Sequence, residues 1–277
     1  MGDPRGIGPE VVRKALRQPL DADVRIVGGW EDGGNTPSDV EAGRAAAQNI
    51  EAAARLALSG EADAIVTGPV NKLALHAAGY RFPGVTEFLA HIAGDIPVAM
   101  MLTTGRLRVV LVTTHLSLRD AIATVTTERV VQAGRIAIDA LRQWWGVTSP
   151  RLALCALNPH AGEGGLFGDE DDRVLRPAAT ALDAAGPLPA DTVFVRALRG
   201  EFDAVLAPYH DVGMTAVKVS GFGTGVNVTL GLPFIRTSPD HGTAFDIAGK
   251  GIADAGSMRA ALELAVELVV ARRQKGD

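Results

Sequence analysis

Seven short apolar runs, at residues 24–27, 64–66, 98–102, 109–113, 152–156, 204–206 and 226–230, are spaced along the chain with longer amphipathic stretches between them. Each run is too short for a helix, and its nearly continuous apolar character suits a strand covered on both faces. The stretches 9–17, 39–58, 127–145, 174–185 and 257–273 carry apolar residues at helical spacing. This alternation predicts an α/β fold, with parallel sheet between layers of helices. In such folds ligands sit beyond the carboxyl ends of strands, so polar motifs at those ends are where chemistry is expected.

With 277 residues, 47% of them hydrophobic and 21% charged, the chain can bury a large core in one big domain or two smaller lobes. The net charge of -5, with basic residues scattered, argues against a nucleic-acid partner. No apolar stretch approaches the roughly 20 residues of a membrane span. No secretory leader is legible, so the cytoplasm is the expected compartment. The single cysteine, Cys155, lies inside an apolar run and reads as a buried strand residue.

Three of the six histidines sit in small polar motifs at the ends of apolar runs: His115 after Val112-Thr-Thr, His160 in Asn158-Pro-His-Ala-Gly-Glu163, and His210 in Tyr209-His-Asp211. Imidazoles delivered from separate strand ends with carboxylates nearby suit a divalent-metal site, although no local spacing demands one. Gly2-Asp-Pro-Arg-Gly-Ile-Gly-Pro-Glu10 runs into a helix and allows close backbone approach to a ligand. Asn71 and Lys72 open another helix after a strand, as do Thr86 and Glu87 after Gly84-Val85. Gly221-Phe-Gly-Thr-Gly-Val-Asn227 lies between strands, which is the wrong context for a Rossmann fingerprint. Lys218, Asn227 and Arg236 instead supply two cations and an amide suited to phosphate or carboxylate.

The segment His241-Gly-Thr-Ala-Phe-Asp-Ile-Ala-Gly-Lys250 resembles the adenosine-binding loop of the isocitrate and isopropylmalate dehydrogenase fold, which stands in for the missing fingerprint. Within that superfamily the chain resembles the 4-hydroxythreonine-4-phosphate dehydrogenases of pyridoxal phosphate biosynthesis. The resemblance rests on Met1-Gly-Asp-Pro-Arg-Gly-Ile-Gly-Pro-Glu10, Thr67-Gly-Pro-Val-Asn-Lys72, Asn158–Glu163, Tyr209-His-Asp211 and Gly225-Val-Asn-Val-Thr-Leu-Gly-Leu-Pro-Phe-Ile-Arg-Thr237, all in order. It implies a two-lobed α/β/α fold, with residues 1–88 and 236–277 in one lobe and 89–235 in the other. The implied active site lies in the interdomain cleft at a homodimer interface. A divalent cation (Zn2+, Mg2+ or Co2+) and NAD or NADP are implied as cofactors. The implied reaction oxidises a secondary alcohol of a phosphorylated hydroxy acid and then releases CO2.

Carried over by motif, His115, His160 and His210 correspond to metal ligands, with His210 given by the partner subunit. Asp191 and Asp211 correspond to acidic residues near the metal, and with Lys72 they are the expected takers of the hydroxyl proton. Thr86, Lys218, Asn227 and Arg236 correspond to substrate contacts. His241, Ala244, Asp246 and Ile247 correspond to the cofactor loop, where Asp246 would accept from a ribose and disfavour a 2′-phosphate.

Several positions depart from the family pattern. Val85 stands where the family has a substrate-contacting histidine, Val212 where it has glutamine, and Arg5 where it has a small residue. Family members also carry a strand ahead of Met1 and a longer segment between Val27 and Asp39. Val85 opens an alternative substrate, such as erythronate or threonate 4-phosphate. A relative that binds ligand without turnover is the third reading.

Overall fold

The structure is a computed structural model that describes residues 1–28, 36–221 and 223–274. In chain order the helices are α1 (Gly8–Ala15), α2 (Asp39–Leu58), α3 (Lys72–Ala77), α4 (Val85–Ile92), α5 (Leu118–Thr124), α6 (Thr127–Gln143), α7 (Arg176–Leu182), α8 (Ala190–Leu198), α9 (His210–Ser220) and α10 (Gly256–Arg273). The strands are β1 (Ala64–Val66), β2 (Ala99–Thr104), β3 (Leu107–Leu111), β4 (Leu152–Cys155), β5 (Ala185–Leu188), β6 (Ala204–Ala207), β7 (Val226–Leu230) and β8 (Ile235–Pro239). The chain divides into two units, one of Met1–Pro97 with Val226–Val270 and one built on Val98–Gly225.

In the first unit β1 runs parallel to β8, and β7 runs antiparallel to β8. Helix α2 starts at Ser38, whose side chain accepts from Glu41 N while Glu41 reaches back to Ser38 N. This reciprocal capping satisfies two otherwise orphaned donors and fixes where the helix begins. Ile7, Val11 and Ala15 of α1 pack with Ala253, Met258 and Leu262 into a buried cluster. Lys14 Nζ donates to the Gly251 and Ala253 carbonyls (2.8 and 2.7 Å), and Ala253 N donates to Glu10 Oε1 (2.9 Å). The segment following β8 is thereby tied to α1.

In the second unit the strand order is β2-β3-β6-β4-β5. Strands β2 and β3 form an antiparallel hairpin, whereas β3, β6, β4 and β5 run parallel. Met100, Leu102, Val109, Leu111, Ala153, Cys155, Val205 and Ala207 face one core with Val193 and Val217 from α8 and α9. Gly213 lets α9 lie directly on this sheet, because a Cβ there would come within 2.6 Å of Leu111 Cδ2 and 3.1 Å of Ala207 Cβ.

The α/β architecture is the one the apolar pattern predicts, with differences that have physical reasons. Residues 24–27 form no strand: Val24 and Ile26 are 43% and 50% exposed, and no ladder partner lies beside them among the described residues. An apolar run becomes a strand only where another strand satisfies its backbone groups. The expected helix 174–185 begins with a π turn at Asp171–Leu175, continues as α7 and stops at Leu182. Its last residues enter β5, which sequence reading misses because Gly186 and Pro187 are poor strand formers. Pro187 is tolerated because β5 is the edge strand of this unit, where a missing donor costs no ladder bond. No helix among the described residues is long and apolar enough to cross a membrane.

Candidate active site

The parallel strands of the second unit decide where its polar motifs emerge. Because β3, β6, β4 and β5 are parallel neighbours, their carboxyl ends lie along one edge of the sheet. His115 follows β3, His210 and Asp211 follow β6, His160 follows β4, and Asp191 follows β5. The first two exits are fastened together, with Val112 N donating to the Ala207 carbonyl (2.9 Å) and Thr113 Oγ1 to the Pro208 carbonyl (2.8 Å). The His115 and His210 rings consequently stand 5.8 Å apart, centroid to centroid. Within the chain, adjacent parallel strands thus place His210 beside His115.

His210 sits at the start of α9, and its Nδ1 lies 2.7 Å from Asp211 Oδ1. A carboxylate at Nδ1 fixes the ring and its tautomer, leaving Nε2 for a metal or a substrate oxygen. His160 lies on a different support. It opens a left-handed run, with φ of 52° at His160, 56° at Ala161 and 43° at Glu163. Non-glycine residues pay for that backbone, so something must hold it. Asp171, fully buried, accepts from Leu157 N (2.8 Å) and Asn158 N (2.9 Å). Asn158 Nδ2 in turn donates to Glu170 Oε2 (2.8 Å). Sequence reading passes over Asp171 because it lies in the acidic stretch Asp169–Asp172, where solvated carboxylates look the same. Asp191, in the first turn of α8, is exposed. Among the described residues no three His, Cys, Asp or Glu side chains converge closely enough to hold a metal ion. The structure brings together His115 and His210–Asp211, and leaves His160 on its own turn along the same sheet edge.

In the first unit, β1 and β8 are parallel, so Asn71 and Lys72 after β1 and His241–Ile247 after β8 leave one edge. β7 runs the other way, which puts its first residues at that edge too, Asn227 pairing with Ser238. Asn71 caps α3 by accepting from Ala74 N, while Lys72 is exposed. Arg236 is almost wholly buried, at 4% exposure. Its Nε and Nη2 donate to Thr67 Oγ1 (3.1 and 2.6 Å) and its Nη1 to Thr229 Oγ1 (3.0 Å). Thr86, on α4, is buried with its Oγ1 3.3 Å from Thr229 Oγ1. Burial pulls the Arg236 pKa down to about 10 against the opposing charge of Glu87, so the guanidinium stays cationic at neutral pH. Three hydrogen bonds leave two of its five N–H donors over. Thr67 and Thr229, which carry this guanidinium, escape sequence reading because threonine is ordinary in strands. Lys218 lies in the last turn of α9, in the second unit.

The loop after β8 is a series of turns in which Ala244 adopts φ 42°. Its start is anchored where Ile7 N donates to the Thr243 carbonyl (2.9 Å). His241 Nδ1 lies 3.0 Å from the Gly242 carbonyl, and its Nε2 is buried with no hydrogen-bond partner. Asp246 is exposed, and Ile247 is half-buried. Arg5 closes this loop from the side, its guanidinium bonded to Asp3 and Asp39 and lying 5.4 Å from the Phe245 ring centroid. Hydrogen bonds to both acids push its pKa up, and both acids lie outside this loop.

The chain matches the model of the pyridoxal phosphate biosynthetic protein PdxA over residues 21–265. It is similar to a 4-hydroxythreonine-4-phosphate dehydrogenase from Beijerinckia indica, 45% identical over 317 aligned positions that cover 98% of this chain and 94% of that protein. It is also similar to a D-threonate 4-phosphate dehydrogenase from Cupriavidus necator, 51% identical over 241 positions covering 83% and 71%. The crystal structure of a 4-hydroxythreonine-4-phosphate dehydrogenase from Klebsiella pneumoniae superposes with a TM-score of 0.86 at 39% identity, covering 97% of this chain and 96% of that one. In fold alone, an isocitrate dehydrogenase from Methylococcus capsulatus matches at TM-score 0.50 and 18% identity, covering 99% and 86%. The isocitrate dehydrogenase-like fold expected from the loop after β8 is the fold found.

Proposed function

The chain belongs to the PdxA family of pyridoxal phosphate biosynthetic proteins, and on that premise we propose that it is an NAD(P)-linked dehydrogenase of a phosphorylated hydroxy acid. The favoured substrate is 4-phosphohydroxy-L-threonine, oxidised and decarboxylated to 3-amino-2-oxopropyl phosphate. The observation that carries this reading is the sheet edge of the second unit, where parallel neighbours deliver His115, His210–Asp211, His160 and Asp191 side by side. The enzyme acts as a cytoplasmic homodimer in this reading.

The donor types suit a divalent cation, with His115 and His210–Asp211 brought together and His160 apart from them on the same sheet edge. His115 and His210 offer imidazoles, Asp211 holds the His210 ring with Nε2 free to ligate, and His160 is the third expected ligand. Imidazoles favour Zn2+ or Co2+ over Mg2+. When bound, the cation supplies Lewis acidity at an alcohol oxygen, and the nicotinamide supplies the hydride acceptor. The residues of the chain do the rest. A carboxylate (Asp191 or Asp211) or Lys72 takes the hydroxyl proton as hydride leaves the carbon. The resulting β-keto acid releases CO2, its bonding electrons passing to the ketone as an enolate, and the carbon that carried the carboxylate then takes a proton to give the ketone product. Arg236, Asn227, Lys218 and Thr86 hold the phosphate and orient the reacting carbon. His241, Ala244, Asp246 and Ile247 hold the cofactor, and the exposed Asp246 carboxylate favours NAD over NADP.

A second reading, oxidation of threonate or erythronate 4-phosphate, is favoured by Val85 and by the 51% identical relative. Nicotinamide reduction with 4-phosphohydroxy-L-threonine, D-threonate 4-phosphate and D-erythronate 4-phosphate separates the two. Fastest turnover of the amino acid supports the first reading and fastest turnover of a sugar acid the second. Cofactor binding with no turnover of any of them contradicts both and leaves a binding-only relative.

A further inference from the structure

Of the side chains that open α4, Val85 is apolar and Thr86 is already bonded to Thr229, which leaves Glu87. Glu87 Oε2 is buried and has no hydrogen-bond partner. A buried carboxylate oxygen without a donor is costly, and such a group in a binding region is one for which a ligand brings the donor. The surroundings support this. Gly84 leaves the space the carboxylate occupies, since a Cβ there would stand 3.1 Å from Glu87 Oε2 and 4.0 Å from Lys72 Cε. Glu87 also lies within electrostatic reach of the buried Arg236 guanidinium. Asn227 Oδ1, on β7, is a second buried acceptor without a donor in the same unit. A phosphate dianion brings acceptors only, so it satisfies Arg236 and neither of these oxygens. The donor has to come from another part of the substrate.

We propose that Glu87 is a specificity-determining residue whose carboxylate accepts a hydrogen bond from the donor on the carbon next to the substrate carboxyl group, and that it favours an ammonium there over a hydroxyl. This rests on the reading of the chain as a 4-phosphohydroxy acid dehydrogenase and decides between its two substrate classes. An ammonium brings three donors and a charge opposite to the carboxylate, whereas a hydroxyl brings one neutral donor.

The test compares kcat/KM for 4-phosphohydroxy-L-threonine and D-threonate 4-phosphate in the wild-type holoenzyme and in Glu87→Gln, with thermal melting as the folding control. Glu87→Gln keeps the shape and one acceptor but removes the charge. The expected result is a fall of about ten- to hundredfold in the ratio of amino acid to hydroxy acid turnover, the size of one charge-assisted hydrogen bond. An equal loss on both substrates, or none, overturns the role of Glu87 and makes it a counter-charge for Arg236 only, while the functional reading stands. Absence of turnover of either substrate by the wild type overturns the functional reading itself, and the Glu87 proposal with it.

Discussion

Arg236→Lys separates what this side chain does for the fold from what it does for the substrate. The guanidinium spans two threonines, with two bonds to Thr67 Oγ1 and one to Thr229 Oγ1. A lysine ammonium is a single point on a flexible stem and cannot reproduce that fork. Two of the three bonds are lost, at about 0.5–1.5 kcal/mol each, so stability falls by about 1–3 kcal/mol. The charge remains, so Glu87 keeps its counter-charge and no carboxylate is left isolated. The effect on catalysis is of similar size, because the two N–H donors left over by the threonines are those proposed to meet the phosphate. Trading that planar pair for a point contact costs about ten- to hundredfold in kcat/KM. Urea unfolding measures the first effect, and steady-state kinetics with inorganic phosphate as competitor measures the second. Loss of stability with wild-type kcat/KM and wild-type phosphate inhibition would show that Arg236 is only a strut between β1 and β7, and would refute the phosphate assignment.

Two further outcomes follow from buried groups of the second unit. Asp171→Asn replaces one of two acceptors with a donor facing the backbone N–H of Leu157 or Asn158. It should cost about 1–3 kcal/mol in urea unfolding, and by releasing the left-handed turn at His160 it should lower metal content by elemental analysis; wild-type values on both would remove Asp171 from the site. Burial pushes the Cys155 thiol up from 9.0 to about 12. The unfolded thiol therefore loses its proton at a pH where the folded one keeps it, so this group's stabilisation is full below pH 9 and is lost as pH rises toward 12. Thiol reagents at mildly alkaline pH should label the native protein only at its unfolding rate, and immediate labelling would contradict the burial.

Much of this fold is legible in the sequence because burial on both faces writes itself as apolar runs. Residues 64–66 and 226–230 are strands with the expected bounds, and α2 spans 39–58 as its apolar periodicity predicts. The exceptions are elements decided by neighbours rather than by their own residues. Residues 24–27 look like a strand and have no ladder partner among the described residues, whereas β5 lacks strand-forming residues at Gly186 and Pro187 and pairs with β4. The site follows the same division. His115, His160 and His210 stand out as a rare residue type in polar motifs, and Arg236 as a cation inside an apolar run. Asp171, Thr67 and Thr229 do not, because what distinguishes them is a buried hydrogen bond, which only the packed chain reveals.

Metal-dependent turnover separates a metal-assisted dehydrogenase from a protein whose histidines only pack. The protein is stripped with a chelator, then assayed for nicotinamide reduction on 4-phosphohydroxy-L-threonine with NAD, before and after adding Zn2+, Co2+, Mn2+ or Mg2+, beside His115→Ala and His210→Ala treated alike. The expected result is no turnover after stripping, recovery on adding a divalent cation, and neither metal uptake nor recovery in the two variants. Full activity of the stripped protein, or variants that bind metal and turn over like the wild type, would contradict it.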